Sequence, residues 1–155
     1  MKTIMCLVLM AITSSSFAQN TGKPVKFMNP ATVPAAKGYS QAAEIDLGTS
    51  KMLLISGQVS FDKTGELVGK LDFTKQAEQA FINIKNIVEA AGGSMNDLVK
   101  LNFYLLDTAH IVELRKVRDQ FINTVTPPTS TLVQVSKLFR DDVLVEIEAT
   151  AVIAK

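Results

Sequence analysis

The chain has 155 residues, 47% of them hydrophobic, with 16 Lys+Arg against 15 Asp+Glu, one histidine and one cysteine. A balance this close to neutral, with no basic block or stripe, disfavours nucleic acid and anionic membranes as partners. A single cysteine and a single histidine exclude a disulfide framework and any cysteine- or histidine-rich metal site.

Residues 1–18 read as an export signal. Lys2 supplies the positive end, Ile4 to Ile12 is a short apolar run, and Ser16-Phe17-Ala18 is a small-residue cleavage site before Gln19. The run is too short to span a bilayer, and Cys6 lies away from the cleavage site, which argues against a lipid anchor. Removal leaves 155 − 18 = 137 residues, without cysteine and with 15 basic against 15 acidic groups. That is the length of one domain with a real core. The mature protein is expected in the periplasm or secreted, free of the membrane, and its lack of net charge suits self-association.

Residues 19–37 form a polar lead-in carrying Pro24, Pro30 and Pro34, expected to be extended. A single domain is expected over residues 38–155. Gly38-Tyr39-Ser40-Gln41 turns into a strand at about Ala43 to Leu47, and Gly48-Thr49-Ser50 turns into a buried strand, Met52 to Ser56, ended by Gly57; the two read as a hairpin. Asp62-Lys63-Thr64-Gly65 is a further turn. Phe73 to Ala91 is a helix that Asp72 can cap, with Phe73, Ala77, Ala80, Phe81, Ile84, Ile87, Val88 and Ala91 on one face and Gly92-Gly93 as its stop. A strand at about Leu98 to Leu106 follows. A second helix, capped by Asp107 or Thr108, is expected to run to about Thr124 with Ile111, Leu114, Val117 and Phe121 inward. After Pro127-Pro128 come two strands, about Ser130 to Lys137 and Val143 to Ile153.

The order β-β-α-β-α-β-β predicts an α+β fold, a mixed sheet with two helices on one face and a right-handed β-α-β passage through Phe73–Ala91. The uncovered face is expected to keep apolar side chains, such as Leu101 or Phe103, and to serve as a subunit contact.

Few residues suggest chemistry by themselves. Glu146 and Glu148 share one face of the last strand. One of them can act as a general acid/base, or both can simply line a solvated face. Tyr39, in a polar turn, offers a ring and a hydroxyl to a ligand or packs at the surface. Ser130 and Thr131 can donate to a ligand or merely begin a strand. His110 has no histidine or cysteine to join it on a metal. There is no G-x-S-x-G elbow, and Gly92-Gly93 does not open a helix as a phosphate loop does.

Taken together, the motifs resemble the reactive-intermediate deaminase family (RidA, also called YjgF). They are Gly38-Tyr39-Ser40-Gln41, Ile55-Ser56-Gly57-Gln58, Thr64-Gly65-Glu66-Leu67-Val68, the run from Asn83 to Gly92, Val99-Lys100 with Tyr104-Leu105 and Asp107, Pro127-Pro128, and Val145-Glu146-Ile147-Glu148-Ala149. They follow the family's order and spacing from about residue 38 to the C-terminus. The resemblance implies a subunit of the chorismate mutase type, a homotrimer with clefts between subunits, and hydrolysis of reactive enamines and imines to ketoacid and ammonia without a cofactor.

The resemblance also implies site roles. Glu146 matches the glutamate that holds the attacking water, Tyr39 the tyrosine that lines the pocket, and Gly57 a backbone position of the cleft. The position of the arginine that grips the substrate carboxylate is Ser130. Leu132 stands where cysteine is frequent, and a polar position on the second helix falls near Leu114. One neutral donor cannot replace a guanidinium fork. The chain therefore reads as a divergent member lacking the substrate-binding arginine, with weak or no action on carboxylated imines. Its ligand is expected to be a small molecule without a strong negative charge, held at Tyr39, Gly57, Ser130 and Leu132. Arg115, Arg118 and Arg140 are the candidates to take that arginine's place, a choice the sequence leaves open. A non-catalytic metabolite-binding or scavenging module is the alternative function. The ribonuclease activity sometimes attributed to the family finds no basic track, aromatic platform or histidine pair here.

Overall fold

Alternation along the last strand organises the molecule. In the computed structural model, which describes residues 23–155, Val145, Ile147, Ala149, Ala151 and Ile153 are buried, while Glu146, Glu148 and Thr150 between them face the other way. The elements are β1 (Val25–Met28), β2 (Ala42–Asp46), β3 (Ser50–Gln58), α1 (Phe73–Ala90), β4 (Leu98–Leu105), α2 (Ile111–Arg118), β5 (Thr129–Gln134) and β6 (Val145–Ala154). They form one six-stranded sheet in the order β1-β2-β3-β6-β4-β5. Only β4 and β5 pair in parallel; the remaining pairs are antiparallel. This is the mixed α+β sheet expected.

Both helices cover the face that β6 fills with Val145, Ile147 and Ala149. Asp72 caps α1, its side chain accepting from the Lys75 N–H at 3.0 Å. The apolar stripe of α1 then enters the core, with Ala77, Ala80, Phe81, Ile84, Ile87 and Val88 fully buried. Each large side chain so buried stabilises the fold by roughly 1.5–3 kcal/mol. Phe81 stacks on Phe121 at 5.1 Å between centroids, which fastens the segment after α2 to α1.

Several expectations need correction. The lead-in is not merely extended: Val25–Met28 pairs with β2 as an edge strand, with Pro24 before it and Pro30 soon after, as edge strands tolerate. The second helix stops at Arg118 instead of about Thr124: the N–H groups of Gln120 and Phe121 bond only three residues back, to the Val117 and Arg118 carbonyls, and Asn123 then accepts from the N–H groups of Val125 and Thr126, which commits the following stretch to a turn. β5 ends at Gln134, short of Lys137. The passage from β3 through α1 to β4 spans an intervening strand, β6. Leu101 and Phe103 do not face outward: both are buried on the helix side. The open face instead carries Val25 and Phe27 of β1, Leu54 of β3 and Val152 of β6, all exposed. The expected export signal, residues 1–18, lies outside the described residues.

A buried polar chain joins the N-terminal segment to β3. Gln58 donates through Nε2 to the Gln41 Oε1 at 2.8 Å, and Gln41 donates through Nε2 to the Pro34 carbonyl at 2.7 Å. Asn29 Oδ1 accepts from the Gln41 N–H at 2.9 Å. Gln41→Leu leaves the Pro34 carbonyl unpaired and removes the only bond between the two glutamine side chains. Urea unfolding is expected to show a loss of about 1–3 kcal/mol. An unchanged midpoint would show that the chain contributes nothing to stability.

Candidate functional site

Two residues of β3 oppose one of β6. Ile55 pairs with Ala149 and Gln58 with Ile147, so Ser56 and Gly57 together face Glu148, a bulge in β3. The bulge is held from the N-terminal side. The Ser56 hydroxyl donates to the Ser40 carbonyl at 2.7 Å, and the Ser56 N–H donates to the Gln41 carbonyl at 3.0 Å. Gly38, at φ 80°, makes the turn that sets Tyr39 beside it. On the β6 side, Gln76 of α1 accepts from the Leu144 N–H and donates to the Asp142 carbonyl, each at 2.8 Å, which fixes the chain where it enters β6.

Glu146 lies over the bulge. A Cβ at position 57 would stand 1.8 Å from Glu146 Oε1, so glycine is what admits the carboxylate there. Tyr39, Ser56, Gly57, Phe139, Arg140 and Glu146 line a cavity of about 680 Å³. Arg140 is fixed in it: its fork meets both Asp142 oxygens, and its guanidinium lies 4.9 Å over the Phe61 ring.

The two glutamates of β6 differ in kind. Glu148 Oε2 accepts from Asn102 Nδ2 at 3.1 Å and from the Tyr104 hydroxyl at 2.9 Å. That bond to Glu148 is the main cause of the Tyr104 phenol's being pushed above its ordinary range. Glu146 is half-buried, and its carboxylate has no hydrogen bond or ion pair among the described residues. Burial pushes its carboxyl above the usual carboxylate range, and the Glu148 charge adds in the same direction. A partly desolvated carboxylate with its oxygens unclaimed can accept a proton from water.

Ser130 and Leu132 are elsewhere. They pair with Leu101 and Phe103 across β4, so their side chains lie on the helix side, whereas Glu146 pairs with Tyr104 on the open side. Ser130 and Leu132 line a separate cavity of about 100 Å³ with Phe103, Ile111, Leu114, Arg115 and Arg118. The structure thus brings Tyr39, Gly57 and Glu146 together, and sets Ser130 and Leu132 apart from them with the sheet between. Leu114 lines this second cavity, and the neighbouring Arg115 also lines it. The signal was present, since 111, 114, 115 and 118 share one helical stripe. Arg115 and Arg118 were among the candidate cations, but their place in a cavity beside Ser130 depends on how α2 is rotated against β5.

Residues 30–153 match the family described as Endoribonuclease L-PSP. A RutC family protein of Pyrococcus horikoshii is 40% identical over 130 residues, 83% of this chain and 97% of that protein. The 2-iminobutanoate/2-iminopropanoate deaminase of Escherichia coli is 38% identical over 123 residues, 77% of this chain and 91% of that enzyme. The crystal structure of RidA from an Antarctic Psychrobacter superposes with a TM-score of 0.72 at 40% identity, covering 83% of this chain and 99% of that one.

Because folding raises the Glu146 pKa, its carboxylate costs stability once the pH exceeds the folded value. That cost is absent below the unfolded value of about 4.3. Glu146→Gln is therefore expected to raise the melting temperature at pH 7, with the difference closing as the pH falls below about 4. A Glu146→Gln protein no more stable at pH 7 than at pH 3.5, relative to wild type, would mean that the carboxylate is not desolvated.

Proposed function

The chain belongs to the Endoribonuclease L-PSP family, the RidA/YjgF family its motifs resemble. From that premise we propose that it hydrolyses a small imine or enamine, with Glu146 handling the protons, in a cleft shared between neighbouring copies. The observation that carries this reading is the contrast on β6: Glu148 is engaged by Asn102 and Tyr104, while Glu146 has free oxygens in a cavity. The name of the E. coli relative supplies the imine group of that substrate, not its charge.

The chemistry needs only water and one carboxylate. Glu146 takes a proton as the water oxygen bonds to the imine carbon; the C=N electron pair moves to nitrogen, which receives that proton. The carbinolamine so formed gives its hydroxyl proton to Glu146 as the C–N bond breaks. Nitrogen takes up the proton and leaves as ammonia, and the carbon keeps a carbonyl. An enamine first tautomerises to the imine. Tyr39 closes one wall of the cavity.

The separation of Ser130 and Leu132 from Glu146 by a sheet supports a shared cleft, because one small molecule cannot reach both faces of one chain. β5 is an edge strand, and the opposite face carries exposed Val25, Phe27, Leu54 and Val152. Packing that apolar face between copies, as a homotrimer, removes it from water and lets the β5 edge of one copy meet the Glu146 cavity of the next. As far as β5 alone decides it, the substrate carries no strong negative charge, since Ser130 is a neutral alcohol. The reading keeps the export expected from residues 1–18.

Three measurements test it. Ammonia release from freshly generated imines is expected from wild type and reduced at least about 100-fold in Glu146→Gln; no release from any imine, charged or uncharged, overturns the hydrolase. Sedimentation is expected to give three times the chain mass, and a monomer at working concentration overturns the shared cleft. The intact mass of the exported protein is expected to begin at Gln19; a chain retained whole in the cytoplasm overturns export.

A further inference from the structure

α2 turns one stripe, Ile111, Leu114, Arg115 and Arg118, toward β5, and with Ser130, Leu132 and Phe103 it closes the small cavity. Its apolar walls are Phe103, Ile111, Leu114 and Leu132, of which Phe103 and Leu114 are buried. Arg118 is committed: its Nε and Nη2 lie 2.8 Å and 2.7 Å from the same Asp119 oxygen. The Arg115 guanidinium has no hydrogen bond or ion pair among the described residues, and neither does the Ser130 hydroxyl. A guanidinium and an alcohol, both exposed and neither engaged by another protein group, thus border one cavity whose other walls are mostly apolar.

The cavity is small enough to be selective. About 100 Å³ is room for about three waters at roughly 30 Å³ each. That fits a carboxylate group and not a whole amino-acid-sized molecule. The reacting carbon of a ligand anchored here must lie outside, toward a neighbouring copy's Glu146, so this inference rests on the shared-cleft hydrolase reading.

We propose that Arg115 is the substrate-gripping cation of this protein. It reaches from α2 over the short Ser130 side chain, holds the carboxylate of a small imino acid with its fork, and takes the Ser130 hydroxyl as a second donor. Arg118, pinned by Asp119, orders the far wall. A serine at position 130 leaves the space that a longer strand residue would fill, and the helix supplies the charge that the strand lacks. The substrate is then a carboxylated imine after all, recognised from a different element.

The test compares kcat/KM for ammonia release from an imino acid generated in situ with that from its methyl ester. Arg115→Gln is expected to lower the acid-to-ester preference on the order of 30-fold or more, carried mainly by KM. Ser130→Arg added to Arg115→Gln is expected to recover most of the preference. Lys116→Gln removes a neighbouring charge that does not line the cavity, and is expected to leave the preference in place. An unchanged preference in Arg115→Gln, with turnover still lost in Glu146→Gln, overturns this inference and leaves the hydrolase standing. If wild type turns over neither imine, the hydrolase fails, and calorimetry with 2-ketobutyrate decides here. Binding by wild type that weakens at least 30-fold in Arg115→Gln upholds Arg115 as an anion site. No binding, or equal binding, overturns it.

Discussion

One close approach shapes the candidate site: the Glu146 carboxylate occupies the space where any other residue at position 57 would carry a Cβ. The bulge exists because two residues of β3 oppose one of β6, and it persists because Gln58, Gln41 and Ser56 tie it to the N-terminal turn. Those buried amides must pair with each other or leave their groups unsatisfied. The chain from Asn29 to Gln58 therefore acts as one unit: it closes the edge of the sheet, sets the Tyr39 turn, and holds open the place that a carboxylate fills.

The same geometry divides labour between two glutamates a single residue apart. Glu148 pairs across β4 and takes two donors, so it behaves as part of the sheet. Glu146, one rung on, meets a glycine instead of a donor. A strand places side chains in alternation, and the bulge breaks that equivalence. The sheet also separates the Glu146 cavity from the cavity beside β5. Under the reading proposed here, association of copies is a requirement of the chemistry as well as a cover for an apolar face.

Much of this was legible in the residue order. The helix over Phe73–Ala91 follows from apolar residues three and four apart, and β6 from strict alternation; both lie within a residue or two of expectation. The V-E-I-E pair marked the right strand, but which glutamate was free depended on Asn102, Tyr104 and Gly57, which come from other elements. β1 was missed because five residues between Pro24 and Pro30 look extended and say nothing about a partner. The short second helix was missed because the Asn123 turn competes only locally with an apolar pattern that continues through Phe121. Arg115 was among the candidate cations, but which of the three arginines lies beside Ser130 is decided by the rotation of α2. A helix read by its apolar stripe hides the polar residues flanking that stripe, and a few tens of degrees decide whether they face solvent or a neighbouring strand.

The central claim is that Glu146 is a partly desolvated carboxylate with no internal partner. Carboxyl-carbon NMR of glutamate-labelled protein, with Glu146 assigned by its loss in Glu146→Gln, reads this directly. The account predicts a titration midpoint above that of an ordinary exposed glutamate. A midpoint at or below the ordinary value would mean that Glu146 is solvated or hydrogen-bonded like any strand-face acid, and would contradict its assignment as the acid/base of the site.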